Sequence, residues 1–150
     1  MTFISPETIY TDVESSSFEE IIHQMSIPLI ENNVVSENYP EKVIERERVF
    51  PTALPVQPFG VAIPHTDSDY VNENHISVAI LKKPISMGIM GGNLSDKTDV
   101  KIIFLLSLNE RNKQLNILQK IIAIIQDADN LRILSDASKD EIYNLLNDKL

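Results

Sequence analysis

Short apolar stretches separated by polar loops predict the strands of a sheet. Five of them cover residues 8–13, 59–64, 75–81, 84–90 and 100–108. A further strand piece is expected at 52–54. The last contains the unbroken apolar run from Ile102 to Leu106. A strand that is apolar on both faces is typical of the centre of a sheet with helices on both sides.

Apolar residues at helical spacing predict five helices between these strands. The expected ranges are about 18–29, 38–49, 113–127, 130–134 and 139–148. Ser16 or Ser17 is expected to cap the first helix, and Ser138 with Glu141 has the spacing of a capping box before the last. Pro28 is expected to kink the first helix or to restart it from Ser26. The third helix is predicted to be largely buried, because it carries two adjacent apolar stripes, Leu115, Leu118, Ile122 and Ile125 in one and Ile117, Ile121 and Ile124 in the other.

Length and composition favour one cytoplasmic α/β domain. A chain of 150 residues without an internal repeat or a linker fits a single domain over 1–150. The sequence shows neither a signal peptide at its beginning nor the ~20-residue apolar run that crosses a bilayer. The absence of cysteine excludes disulfides and thiolate chemistry. A net charge of −9 makes nucleic acid a poor partner and suits a basic protein better.

His65 is the residue most clearly presented for chemistry. It follows the apolar run Val61–Ile63 and Pro64, and the proline biases the residue before it towards extended geometry. We therefore expect the imidazole to lie at a strand end, beside a polar loop. His23 is expected to be exposed, and His75 is expected to be structural.

Arg46 is the second candidate, because it shares a helical stripe with Tyr39, Val43 and Phe50, whereas Arg48 faces water. A buried charge needs a partner. One interpretation is an arginine whose stem covers apolar surface or whose charge pairs with a carboxylate such as Glu47. The other is a guanidinium that binds an anion.

Most familiar catalytic motifs are missing from the sequence. It contains no G-x-S-x-G, Walker or G-x-G-x-x-G pattern, and no second histidine four residues from His65 that would favour a metal site. A neutral imidazole with a guanidinium and polar neighbours fits a phosphohistidine, whose oxygens need donors. No cofactor is expected.

The chain also resembles a known family. The ordered set Arg46-Glu47, Pro51-Thr52, Ala62-Ile63-Pro64-His65 and Gln114-Leu115 is similar to enzyme IIA of the bacterial phosphoenolpyruvate:sugar phosphotransferase system, of the fructose/mannitol type. The resemblance implies a three-layer α/β/α sandwich around a mixed, mostly buried β-sheet. It also implies that Nε2 of His65 takes phosphate from the phosphocarrier HPr and passes it to a cysteine of enzyme IIB, which serves the membrane permease IIC.

The same resemblance assigns the supporting residues. Arg46 matches the family's phosphate-supporting arginine, and Thr52 and Thr66 are further candidates for contact with the phosphate. Fructose and mannitol members carry a second histidine where this chain has Gln114. Gln114, together with the long Thr52–His65 stretch, is similar to the galactitol-specific subgroup. Alternatives are a regulatory enzyme IIA of the nitrogen-related kind, a regulatory domain detached from a transcription activator, and a binding module whose histidine is unused.

Overall fold

A single mixed sheet organises the chain. The computed structural model describes residues 3–15 and 17–150, without the side chains of 111–114. Its strands are β1 (Ile4–Val13), β2 (Ala53–Leu54), β3 (Gly60–Ala62), β4 (His75–Gly88) and β5 (Lys97–Ser107). They lie in the order β1-β4-β5-β3-β2, so that β5 is central, as its apolar run predicts. The β1/β4 and β3/β5 pairs are parallel, and β4/β5 and β2/β3 are antiparallel.

Helices cover both faces of the sheet. They are α1 (Phe18–Glu31), α2 (Tyr39–Val49), α3 (Arg111–Ile125), α4 (Ala128–Asp136) and α5 (Lys139–Lys149), with a short 3₁₀ helix at Ser68–Tyr70. One apolar core contains residues of β5 such as Phe104 and residues of α3, α4 and α5. The other contains Ile103 and Leu105 of β5 and residues of α1 and α2. The predicted three-layer sandwich is therefore confirmed.

Two predicted strands are one strand in the structure. β4 runs without a break through Lys82 and Lys83, where a break was expected, and its pairing with β5 shifts register between Ile80 and Ile85. Such an irregularity lets a strand continue through residues that do not fit a regular ladder. Residues 59–64, in contrast, contain only the three-residue β3.

The helix predictions hold with local corrections. α1 is continuous through Pro28, so the predicted restart at Ser26 is wrong, and Ser17 accepts a hydrogen bond from the Glu20 amide as the N-cap. The alternative cap, Ser16, lies outside the described residues. The capping box of Ser138 and Glu141 is confirmed. Leu115 of α3 is 54% exposed, so only one of the two predicted stripes is buried along its length.

The topology brings the ends of several strands to one edge of the sheet. β3 is parallel to β5, and His75 at the start of β4 pairs with Ser107 at the end of β5. The ends of β3 and β5 and the start of β4 therefore lie along the same edge. The chain leaves β5 there and enters α3, and the amide of Asn109 donates to the side chain of Asn74 at 2.9 Å. Position 114 lies in the first turn of α3, at this end of the molecule.

Candidate functional site

The backbone around His65 is fixed on both sides of Pro64. Ile63 and Pro64 are buried, and the carbonyl of Pro64 accepts from the amide of Leu106 at 3.1 Å. This bond extends the contact with β5 beyond the last residue of β3. The side chain of His65 therefore extends from a fixed backbone at the edge of the sheet, as the position of Pro64 predicts. Its ring is partly exposed.

The hydrogen bond of the His65 ring defines its tautomer. Nδ1 lies 2.8 Å from the carbonyl oxygen of Ile63. A carbonyl oxygen can only accept, so Nδ1 carries the proton. In the neutral ring, Nε2 then has a free lone pair.

The surroundings of His65 also favour its neutral form. Burial lowers the pKa of His65 below its ordinary value, and the positive charge of Arg46 lowers it further. The hydrogen bond to Ile63 and the charge of Asp67 act in the opposite direction without reversing the shift of this pKa. Near neutral pH the ring is therefore a neutral imidazole with a nucleophilic Nε2.

Arg46 is half-buried and held from two sides. Its guanidinium carbon lies 5.0 Å from the centre of the Phe50 ring, and Nη1 lies 3.7 Å from Oδ1 of Asp67. Its Nε is buried and has no hydrogen-bond partner among the described residues. A buried donor without an acceptor is costly, and an anion that reached this nitrogen would remove the cost.

The carboxylate beside Arg46 is that of Asp67 and not that of Glu47, so the ion pair allowed for Arg46 is present with another partner. Its carboxylate accepts from the amide of Thr52 at 2.9 Å and from the Thr52 hydroxyl at 2.7 Å. The same hydroxyl accepts from the amide of Ile63 at 3.2 Å. Burial raises the pKa of Glu47, although the bonds from Thr52 oppose this shift. The Thr52 hydroxyl therefore donates a hydrogen bond to Glu47, and its connection to His65 runs through the backbone of Ile63.

The other candidates differ in how far the structure describes them. Thr66 follows His65 directly and is 5% exposed. Gln114 falls among the residues whose side chains are outside the description, so only its place in α3 is known. Phe50 lies just beyond α2 and is 60% exposed, so its expected place on a buried stripe is wrong.

The remaining histidines lie outside this group. Nε2 of His75 is 2.7 Å from the hydroxyl of Thr8, and burial lowers the pKa of His75. This contact supports the structural role expected for His75. The side chain of His23 is 48% exposed, as expected, and lies 4.0 Å from Glu41.

Sequence reasoning overlooked Asp67 and the position of Glu47. A carboxylate in the last turn of a helix faces the negative end of the helix dipole and needs compensation. The position of Glu47 in the last turn of α2 was the one sign in the sequence that its carboxylate needs a specific hydrogen-bond donor. The spacing His65-x-Asp67-x-Asp69 indicates Asp67 only as a possible metal ligand. The described residues contain no group of three or more acidic, histidine or cysteine side chains able to hold a metal.

Comparison with known proteins gives a family match over nearly the whole chain. A family model described as phosphoenolpyruvate-dependent sugar phosphotransferase system, EIIA 2, matches residues 2–149. The chain is 30% identical over 149 residues to the mannitol-specific phosphotransferase enzyme IIA component of Halalkalibacterium halodurans, covering 97% of this chain and 94% of that protein.

Solved structures share the fold. The crystal structure of IIA mannitol from Escherichia coli aligns with a TM-score of 0.76 at 19% identity, over 95% of this chain and 97% of that one. The complex of enzyme IIA with phosphorylated enzyme IIB of the mannitol system from Escherichia coli contains a chain that aligns with a TM-score of 0.75 at 19% identity, over 93% and 94% of the two chains. At these identities the likeness concerns the fold alone.

Proposed function

We propose a function for this chain from the premise that it belongs to the EIIA 2 family of the phosphoenolpyruvate-dependent sugar phosphotransferase system. His65 accepts a phosphoryl group from phospho-HPr on Nε2 and donates it to a cysteine of enzyme IIB. The chain is thus a phosphotransferase component with a phosphohistidine intermediate.

The observation that carries this proposal is the hydrogen bond from Nδ1 of His65 to the Ile63 carbonyl. It leaves the Nε2 lone pair free to attack phosphorus while the bond from phosphorus to the donor atom of HPr breaks. In the second step a thiolate of enzyme IIB attacks the same phosphorus. The Nε2–P bond then breaks, and its electron pair returns to the ring.

Arg46 supports the phosphoryl group in this proposal. Its unpartnered Nε and its electrostatic effect on His65 favour an anion at this place. A guanidinium is the side chain best suited to phosphate oxygens. Thr66 and Gln114 are proposed as further donors, and Thr52 as an indirect support.

The partners follow from the same chemistry. HPr supplies the phosphate, enzyme IIB receives it, and the membrane permease IIC uses it through IIB during sugar uptake. We place the chain in the cytoplasm, where these exchanges occur in the resembled system. Among the described residues no helix is both long and apolar enough to span a bilayer.

We propose a galactitol-like polyol as the sugar. Gln114 at the second-histidine position and the long separation of Thr52 from His65 support this subgroup. The Halalkalibacterium relative is named mannitol-specific, which favours a mannitol system as the second candidate. A regulatory enzyme IIA and a binding module of the same fold are the remaining alternatives.

Incubation with phosphoenolpyruvate, enzyme I and HPr, followed by intact-mass measurement, tests the function. We expect one added phosphate that is labile in acid and stable in alkali. His65→Ala is expected to abolish it, because the nucleophilic Nε2 is lost, whereas His23→Ala and His75→Ala serve as controls that retain it. Full labelling of His65→Ala would refute the assignment.

Transfer from the labelled protein to purified IIB proteins of several classes tests the sugar. Faster transfer to a galactitol IIB than to a mannitol or fructose IIB is the expected result. The opposite preference contradicts the subgroup and leaves the chemistry of His65 intact. Labelling without transfer to any IIB favours the regulatory alternative.

A further inference from the structure

Hydrogen bonds on the two sides of Ile63 connect Glu47 to the ring of His65 through the backbone of that residue. The Glu47 carboxylate accepts from the hydroxyl of Thr52 at 2.7 Å, and this hydroxyl accepts from the amide of Ile63 at 3.2 Å. The carbonyl of Ile63 then accepts from Nδ1 of His65 at 2.8 Å. Ile63 is therefore held through its amide by Thr52 and holds the ring through its carbonyl.

The orientation of the Thr52 hydroxyl depends on the carboxylate. A hydroxyl has one proton and two lone pairs, and it can accept from Ile63 while donating elsewhere. Glu47 supplies the acceptor for that proton and also binds the Thr52 amide at 2.9 Å, so two donors of one residue meet two carboxylate oxygens. A carboxylate is the side chain that accepts at both oxygens, and an amide cannot reproduce this pairing.

We propose that Glu47 and Thr52 are positioning residues for phosphoryl transfer, which fix Ile63 so that its carbonyl keeps the His65 proton on Nδ1. Neither residue needs to touch the phosphate. Their effect on the reaction is to keep the Nε2 lone pair available. Without this support the segment keeps the bond from Leu106 to Pro64, but Ile63 is no longer held through its amide and its carbonyl gains room to shift. Part of the ring population then carries its proton on Nε2, where it cannot attack phosphorus.

Nitrogen NMR of the His65 ring measures this effect without any partner protein. Above the pKa of His65, the two ring nitrogens of the wild type are expected to show one protonated Nδ1 and one bare Nε2. Thr52→Val keeps the shape of the side chain but removes the hydroxyl, and we expect the proton to be shared between the two nitrogens. Thr52→Ser restores the hydroxyl and is expected to restore the single tautomer.

Glu47→Gln provides a second variant that preserves both shape and the Thr52 hydroxyl. It is expected to give the same mixture of tautomers. Each of the two variants is expected to slow phosphorylation by phospho-HPr about 10- to 100-fold, the range found when contacts that orient a metal-binding histidine are lost. Glu45→Gln is the matched control, because Glu45 lies on the same helix, is exposed and contacts Lys42 at 3.4 Å. It is expected to leave both measurements unchanged.

The outcomes separate this inference from the proposed function on which its kinetic part rests. Folding of each variant is checked by its amide spectrum, and Glu47→Gln decides if Thr52→Val does not fold. A folded Glu47→Gln that keeps the wild-type tautomer, or a Glu45→Gln with the same defect, overturns the inference. A wild type that HPr does not phosphorylate, with tautomer shifts as expected, overturns the function instead.

Discussion

At the scale of single residues, Arg46 has a hydrogen-bond donor that the described residues leave unsatisfied. Its Nε is buried without an acceptor among the described residues, and its nearest carboxylate, on the exposed Asp67, is 3.7 Å away. Ion pairs at such distances near solvent contribute little to stability. The guanidinium lies against the Phe50 ring and keeps hydrogen-bonding capacity for another anion.

Replacing Arg46 tests whether that anion is the transferred phosphoryl group. Arg46→Ala is expected to slow transfer about 30- to 1000-fold, because a contact that strengthens in the transition state is lost. Arg48→Ala is the control, since Arg48 is 67% exposed and lies 3.7 Å from Glu19. Rapid-quench measurement of phosphorylation by phospho-HPr gives both rates. Equal rates for the two variants would contradict the proposed role of Arg46.

The sequence predicted the place of His65 and the inward direction of Arg46, because both depend on local geometry. Pro64 fixes the stem of His65, and helical periodicity sets the direction of Arg46. The partner of Glu47 was not predictable in this way. Thr52 lies beyond the end of α2, and the turn that brings it back to Glu47 depends on the pairing of β2 with β3.

At the scale of secondary structure, β5 determines the centre of the fold. It lies between β4 and β3, and its side chains alternate between the two apolar cores. Its unbroken apolar run made this position predictable. The extent of β4 was not predictable, because its two lysines and Pro84 indicate a break, and the pairing with β5 that resumes beyond them at Ile85 is not visible in the sequence.

The burial of Phe104 makes β5 a sensitive element for stability. Phe104 is 0% exposed, and Phe104→Ala is expected to lower the free energy of unfolding by about 3–5 kcal/mol, through lost burial and the cavity left behind. Ile133→Ala, at a 50% exposed position of α4, is the control and is expected to change it by about 0.5 kcal/mol or less. Urea unfolding monitored by circular dichroism measures both. Similar losses would contradict the central place of β5.

At the scale of the whole molecule, histidines influence how stability depends on pH. The pKa values of His65 and His75 are lower in the folded protein than their ordinary values, mainly because of burial. Below about pH 6.5 the unfolded chain binds protons that the folded protein resists. These two residues therefore favour unfolding as the pH falls. Glu47 has a raised pKa and acts in the opposite sense, because its folded form binds a proton first.

Acidification experiments isolate the contribution of the histidines. Between about pH 7.5 and about pH 5.5, the wild type is expected to lose more unfolding free energy than the double variant His65→Gln, His75→Gln, which has no such groups to protonate. Urea unfolding at the two pH values measures the difference. A double variant that loses as much stability as the wild type would show that neither histidine contributes.

The bond from His65 to Ile63 also affects the timing of the proposed exchange. With Nδ1 occupied, one nitrogen serves both the donor and the acceptor of phosphate, so the two partners must take turns at the same atom. Long residence of either partner would then delay the other. Brief encounters suit such a carrier, and a net charge of −9 can speed the approach of a basic surface through long-range attraction, with little effect on how long it stays.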